Sequence, residues 1–278
     1  VITGRFFTFV IMAAKKPIGI FDSGFGGLTV FRSILNRLPA YDYLYLGDNG
    51  RAPYGNRSFQ TIHQYTWECV QWLFKQGCPL VILACNTASA KALRTIQQRD
   101  LQKLDTDKRV LGVIRPTAEV IGNYSTTHQI GILGTKGTVQ SESYLKEIEH
   151  FFPDTKVYQQ ACPLWVPLIE NGEYKMYLDQ IMAQSAGIDT LLLACTHYPI
   201  LYDKIKAHLP ENIKVVAQGD IVAESLADYL NRHPEIENRI SKNAGQEFFT
   251  TTDDTADFDH HGSLFFGAEV KSKYVSMK

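Results

Sequence analysis

Short apolar runs alternate with longer stretches whose apolar residues recur every three or four positions. That alternation is the signature of βαβ units built around a parallel sheet. In the first half the runs Pro17 to Phe21, Tyr43 to Gly47, Leu80 to Ala84 and Arg109 to Val113 read as strands. Leu28 to Arg37, Ser58 to Gln76 and Ala88 to Arg99 read as helices between them. From Gln129 the order starts again: strand Ile130 to Leu133, helix Ser141 to Phe151, strand Lys156 to Gln160, helix Tyr174 to Ala186, strand Thr190 to Ala194. A helix at Gly219 to Arg232, a strand at Glu247 to Thr251 and a final helical stretch near His261 to Glu269 complete the pattern.

The two halves share more than their order. Ile18-Gly19-Ile20 and Ile130-Gly131-Ile132 each lead into a glycine-bearing loop, and Ile82-Leu83-Ala84-Cys85 matches Leu192-Leu193-Ala194-Cys195. From Gly19 to Gly131 and from Cys85 to Cys195 the spacing is nearly the same, 112 and 110 residues. No repeat of 20 to 50 residues appears, so the chain is a pair of related lobes and not a solenoid. The expected class is α/β: two pseudo-symmetric lobes, each a mainly parallel sheet flanked by helices, with the active site in the cleft between them. Residues 1–15 are expected to be an N-terminal extension without catalytic importance, Met12 being a plausible true start. Residues 16–113 form the first lobe, 114–216 the second, and 217–278 a C-terminal segment packing back on the first.

Composition narrows the functions available. With 278 residues, 45% hydrophobic and 21% charged, and a formal net charge of −1, the chain offers no electrostatic pull toward nucleic acid or anionic lipid. The apolar stretch Phe6 to Ala14 is about half the length a bilayer span needs. Five cysteines with no C-x-x-C pair argue against a disulfide framework and a zinc ribbon, and fit a reducing cytoplasm. Nothing in the sequence decides between monomer and homodimer, and both stay open.

In parallel α/β sheets ligands sit beyond the carboxyl ends of the strands. Asp22-Ser23-Gly24-Phe25-Gly26-Gly27, Gly47-Asp48-Asn49, Cys85-Asn86-Thr87 and Cys195-Thr196-His197 all fall there. The glycine loop does not fit the G-x-G-x-x-G frame of a dinucleotide site, and an amide nest for a carboxylate is the better reading. Cys69, Cys78 and Cys162 read as buried small hydrophobes. Cys85 and Cys195 each end a strand and start a helix, and a helix N-terminus lowers a thiol's pKa from about 8.5 toward neutrality. Related by the pseudo-twofold, they would face each other across the cleft. One would then remove an α proton from one face of a carbon and the other deliver a proton to the opposite face. A disulfide switch, which needs the two Cα atoms within about 7 Å and would leave no room for substrate, and metal binding by Cys195 with His197, where a structural zinc site would want more ligands, are the competing readings. No motif for pyridoxal phosphate or another cofactor can be picked out, so a carbanion would be stabilised by oriented amides and hydroxyls. Asp22 and His197 are best placed to tune the thiols.

These motifs resemble the glutamate racemases of the wider aspartate/glutamate racemase superfamily. The match runs in order through Ile18 to Gly24, Gly26-Gly27-Leu28, Ala52-Pro53-Tyr54-Gly55, Ala84 to Ala90, Gly134-Thr135, Gly137-Thr138-Val139 and Ala194 to Pro199. The resemblance implies a cofactor-independent enzyme in which Cys85 and Cys195 exchange protons with glutamate, with Asp22, Glu170 and His197 as auxiliary groups. It also implies that Asp22-Ser23, Tyr54-Gly55, Asn86-Thr87 and Thr196-His197 hold the substrate. Its setting would be D-glutamate supply for peptidoglycan in a bacterial cytoplasm. Ala194, Thr117 and Asp253 depart from the family pattern, away from the thiols. An aspartate racemase, or a binding module using the same cleft, remains the alternative.

Overall fold

The computed structural model describes residues 16–104, 107–172, 187–243, 245 and 247–277. The extension 1–15 and the helix expected at Tyr174 to Ala186 lie outside the described residues. Among the described residues two sheets are present, and every strand pair in them is parallel. The first contains β1 (Ile18–Asp22), β2 (Tyr43–Gly47), β3 (Leu80–Leu83), β4 (Arg109–Gly112), β9 (Glu247–Thr251) and β10 (Ser272–Tyr274), in the order β10-β9-β2-β1-β3-β4. The second contains β5 (Gln129–Gly134), β6 (Lys156–Ala161), β7 (Thr190–Ala194) and β8 (Lys214–Val216), in the order β6-β5-β7-β8. Replacing each of β1 to β4 by its counterpart four strands later converts one order into the other. The duplication read from the sequence is therefore present in the topology.

The central strands are apolar because both of their faces are covered. In β1 to β3, Ile18, Ile20, Tyr43, Tyr45, Leu80 and Ile82 pack on one side with α1 (Leu28–Arg37). Phe21, Leu44, Leu46, Val81 and Leu83 pack on the other with α2 (Phe59–Lys75). Such division of alternate residues is the period-two geometry of a strand. Parallel strands need a crossover, and the crossovers put helix starts and loops together at the carboxyl ends.

Several helices differ from their sequence expectation. Ala88 to Arg99 is three pieces, beginning with α3 (Asn86–Lys91) and ending in a wide π turn at Ile96–Asp100. Ser141 to Phe151 is divided at Glu142, whose φ of 56° lies in the left-handed region, into α4 (Lys136–Ser141) and α5 (Ser143–Phe151). The last helix, Thr255–Phe266, starts earlier than His261 because the Asp254 carboxylate accepts from the Asp257 amide, and it stops at Gly267 in the left-handed region.

Candidate active site

The glycine loop after β1 folds onto the carboxylate that ends it. Asp22 is completely buried, and its Oδ2 accepts from the Gly24 amide at 3.0 Å. A Cβ at Gly27 would lie 2.4 Å from the Asp22 Cβ, so the loop can close only with glycine there. The Gly24 amide of the expected nest is thus engaged by the chain's own aspartate. Burial raises the Asp22 carboxyl to about 6, against the lowering effect of His197, the Gly24 and Gly27 amides and the Thr196 hydroxyl.

Cys85 follows β3 and is itself the N-cap of α3, its sulfur accepting from the Ala88 amide at 3.5 Å. It also donates to the Ser23 hydroxyl at 3.5 Å. Cys195 follows β7 but does not start an α-helix: a turn leads to the 3-10 segment Tyr198–Leu201, and the donor beside its sulfur is the His197 amide. Each thiol-bearing residue is 5% exposed. Burial pushes the Cys85 thiol up to about 12, with Asp22 adding to the rise, and raises Cys195 well above the ordinary range. Desolvation overrides the helix N-terminus, so the expected lowering toward neutrality is reversed. The two sulfurs and Asp22 lie close enough for charge on one to raise the pKa of another.

Contacts across the cleft bring the lobes together at this point. Thr196 Oγ1 donates to Asp22 Oδ1 at 3.4 Å, and Thr29 Oγ1 donates to the Thr196 carbonyl at 2.9 Å. A Cβ on Gly26 would lie 2.3 Å from His197 Nδ1, so the glycine loop touches the imidazole directly. His197 Nε2 pairs with Glu170 Oε1 at 2.8 Å, and Glu170 keeps about a third of its side chain open to solvent. Asp22, His197 and Glu170 are thus brought together with the thiols.

The remaining sequence candidates divide. Thr87 Oγ1 meets Thr135 Oγ1 of the second lobe at 2.9 Å, and Gly55 accepts from the Gly137 amide at 2.9 Å while its α carbon rests against Thr135. Both sit where the lobes meet. The Tyr54 hydroxyl is turned to the Asp48 carboxylate, and the Asn86 side chain donates to Gln218 Oε1 at 2.7 Å and accepts from Tyr144 at 2.6 Å. Their side chains tie the elements around the site together. Gln218, Tyr144 and Thr117, which donates to the Val113 carbonyl and accepts from Gln218, form a buried network that sequence reasoning missed. Tyr144 looks like one apolar residue of a helix face and Gln218 like a helix start, so nothing in the spacing marks them. Cys69, Cys78 and Cys162 are buried in the core.

No group of three or more potential metal ligands occurs among the described residues. A cavity of about 650 Å³ opens elsewhere at the lobe junction, lined by Ser89, Arg94, Ile114, Arg115, Lys146 and Tyr229 among others, and neither thiol borders it.

Two sheets of one topology with a buried thiol, a threonine and a buried carboxylate at their facing ends find their counterpart among known proteins. The family model described as Asp/Glu/Hydantoin racemase matches residues 18–226, and the chain belongs to that family. Within it the chain is one of the glutamate racemases, amino-acid racemases of the isomerase class. The glutamate racemase of Persephonella marina is 40% identical over 91% of this chain and 94% of its own. Among solved structures, a glutamate racemase isoform from Bacillus anthracis matches with a TM-score of 0.80 at 31% identity, over 94% of this chain and 97% of that one. The Francisella tularensis glutamate racemase, solved with D-glutamate, matches with a TM-score of 0.81 at 29% identity, covering 95% and 98%.

Proposed function

We propose that this chain interconverts L- and D-glutamate without a cofactor by two-base proton transfer between Cys85 and Cys195. The observation that carries the reading is the placement of two buried thiols at equivalent strand ends of the two lobes, both coupled to the same buried Asp22. In one direction a thiolate on one side takes the α proton of glutamate, leaving the electron pair on the α carbon. The thiol on the other side then donates its proton to the opposite face. The products are the mirror-image amino acid, one new thiol and one new thiolate, so the next turnover runs in reverse.

High thiol pKa values suit this chemistry when the substrate brings its own positive charge. With the α carbon between the sulfurs, the glutamate ammonium beside it would stabilise a thiolate, which the buried site otherwise resists. Asp22 on the Cys85 side and the paired His197 and Glu170 on the Cys195 side are placed to take up or return the proton that forms it. Ser23, Tyr54, Gly55, Asn86, Thr87 and Thr196 would border the substrate's charged groups, Asn86 and Tyr54 through their backbone. The lobes would comprise residues 16–113 with 217–278, and residues 114–216. The activity would supply D-glutamate for peptidoglycan, and with it wall growth and cell shape, in a bacterial cytoplasm.

Proton exchange in heavy water tests the reading. L- or D-glutamate, without added cofactor, should exchange its α proton and lose optical rotation with the parent chain. Cys85→Ser and Cys195→Ser should each lose most of that activity. Exchange on aspartate alone would move the assignment to the neighbouring specificity, and no exchange would leave a binding module.

A further inference from the structure

The family match ends at residue 226, yet the helix Thr255–Phe266 reaches the candidate site. Phe265 packs edge-on against the His197 imidazole, with ring centres 5.2 Å apart and planes at 73°. Phe25, from the glycine loop, lies 5.9 Å from the same imidazole on a tilted plane. Phe25 is in turn held by three rings of that helix: Phe265 at 5.4 Å, Phe258 at 6.4 Å and His261 stacked at 5.0 Å with an interplanar angle of 13°. Phe25, Phe258 and Phe265 are all nearly or wholly buried.

From this collar we infer that Phe265 is a positioning residue for His197, acting with Phe25; the inference rests on the two-thiol reading above. An imidazole in a buried pocket can rotate about its side-chain bonds unless its faces are filled. Here Gly26 closes the Nδ1 side, the two phenylalanines close the ring's apolar faces and edge, and Nε2 is left to meet Glu170 at 2.8 Å. Edge-to-face packing favours one ring orientation over its neighbours. The collar keeps the imidazole itself buried, 5% exposed, while its partner Glu170 stays open to solvent. Because His197 follows Cys195 by two residues and its amide is the donor beside that sulfur, a shift of His197 acts directly on the Cys195 side and reaches Cys85 only at second hand, through Asp22.

The test compares full-length parent, Phe265→Leu, Phe265→Tyr and His197→Asn with α-deuterated L- and D-glutamate. Phe265→Leu should lower kcat on the order of tenfold, with KM little changed. Its primary deuterium isotope effect should rise for one enantiomer only, the same one for which His197→Asn raises it. Phe265→Tyr, which keeps the ring, should restore most of the rate. If Phe265→Leu does not fold, His261→Ala, at a partly exposed position, should give the same one-sided isotope pattern with a smaller loss. A folded Phe265→Leu with parental kcat overturns the inference. So does a loss of rate with both isotope effects unchanged, because a merely structural role reduces the amount of active enzyme without altering its steps. Failure of the two-thiol reading itself is recognised separately, as absence of α-proton exchange by the parent.

Discussion

Asp22 favours its neutral form more in the folded chain than an exposed aspartate does, because burial lifts its carboxyl from 3.8 to about 6. The folded state therefore holds the proton more tightly than the unfolded one. Between pH 3.8 and 6 that advantage is lost as pH rises, and above 6 the buried charge works against folding. Asp22→Asn should consequently gain stability relative to the parent at pH 8 and not at pH 3, measured by urea unfolding at both values. The same variant should lose racemisation and, in any residual activity, lack the acid limb near pH 6 expected of the parent in kcat/KM. Gly26→Ala is the second residue-scale change: a methyl 2.3 Å from His197 Nδ1 must displace the ring. A fall in kcat on the order of 100-fold is expected in a chain that still folds; parental kcat would show that the loop yields instead. The two thiols were legible in the sequence because each follows a matching strand. Their raised pKa was not, since desolvation depends on the whole surrounding fold, whereas a helix start is visible locally.

Central strands were readable almost to the residue, and helices less so. Tyr43–Gly47 and Thr190–Ala194 are buried on both faces, so composition alone delimits them. Lys214–Val216 and Ser272–Tyr274 escaped notice because three residues are too few to show a period. The break at Glu142 escaped because a non-glycine residue with positive φ carries no sequence mark. Asp189, at the turn into β7, shows how such short elements are tied. Its carboxylate takes the Ser125 hydroxyl and the Thr126 amide and hydroxyl, together with the Thr127 amide at 2.9 Å. Burial opposes its ionisation, but those hydrogen bonds outweigh it and hold the carboxyl well below the usual range. This stabilisation is present above the ordinary aspartate pKa of 3.8 and is lost as pH falls below it. Asp189→Ala should cost about 2 kcal/mol or more at neutral pH, and the difference from the parent should shrink in acid. An equal difference at pH 7 and pH 2.5 would show that the ionised form is not what matters.

At the scale of the molecule, the paired lobes were legible from two short matches, while the network of Asn86, Gln218, Tyr144 and Thr117 was not. It joins residues far apart in sequence that share no pattern. With both thiol-bearing residues 5% exposed, the two-thiol reading predicts that the lobes part to admit glutamate. A water-soluble thiol reagent should therefore modify Cys85 and Cys195 slowly, and saturating glutamate should slow it further. Rates independent of glutamate, followed by mass spectrometry of the two peptides, would mean that the cleft stands open.

The pairing of β2 with β9 has a consequence for how the chain is made. All four strands of the second sheet lie between residues 129 and 216, whereas β2, already paired with β1, acquires its second neighbour only when residues 247–251 have been synthesised. On the ribosome, the later sheet can close before the earlier one has both its edges. Until then β2 presents unpaired amides and carbonyls, the kind of edge that invites the wrong partner. A chain truncated after residue 240 should thus leave the ribosome with a protease-resistant second sheet and a labile first one, and should depend on chaperones more than the full-length product does.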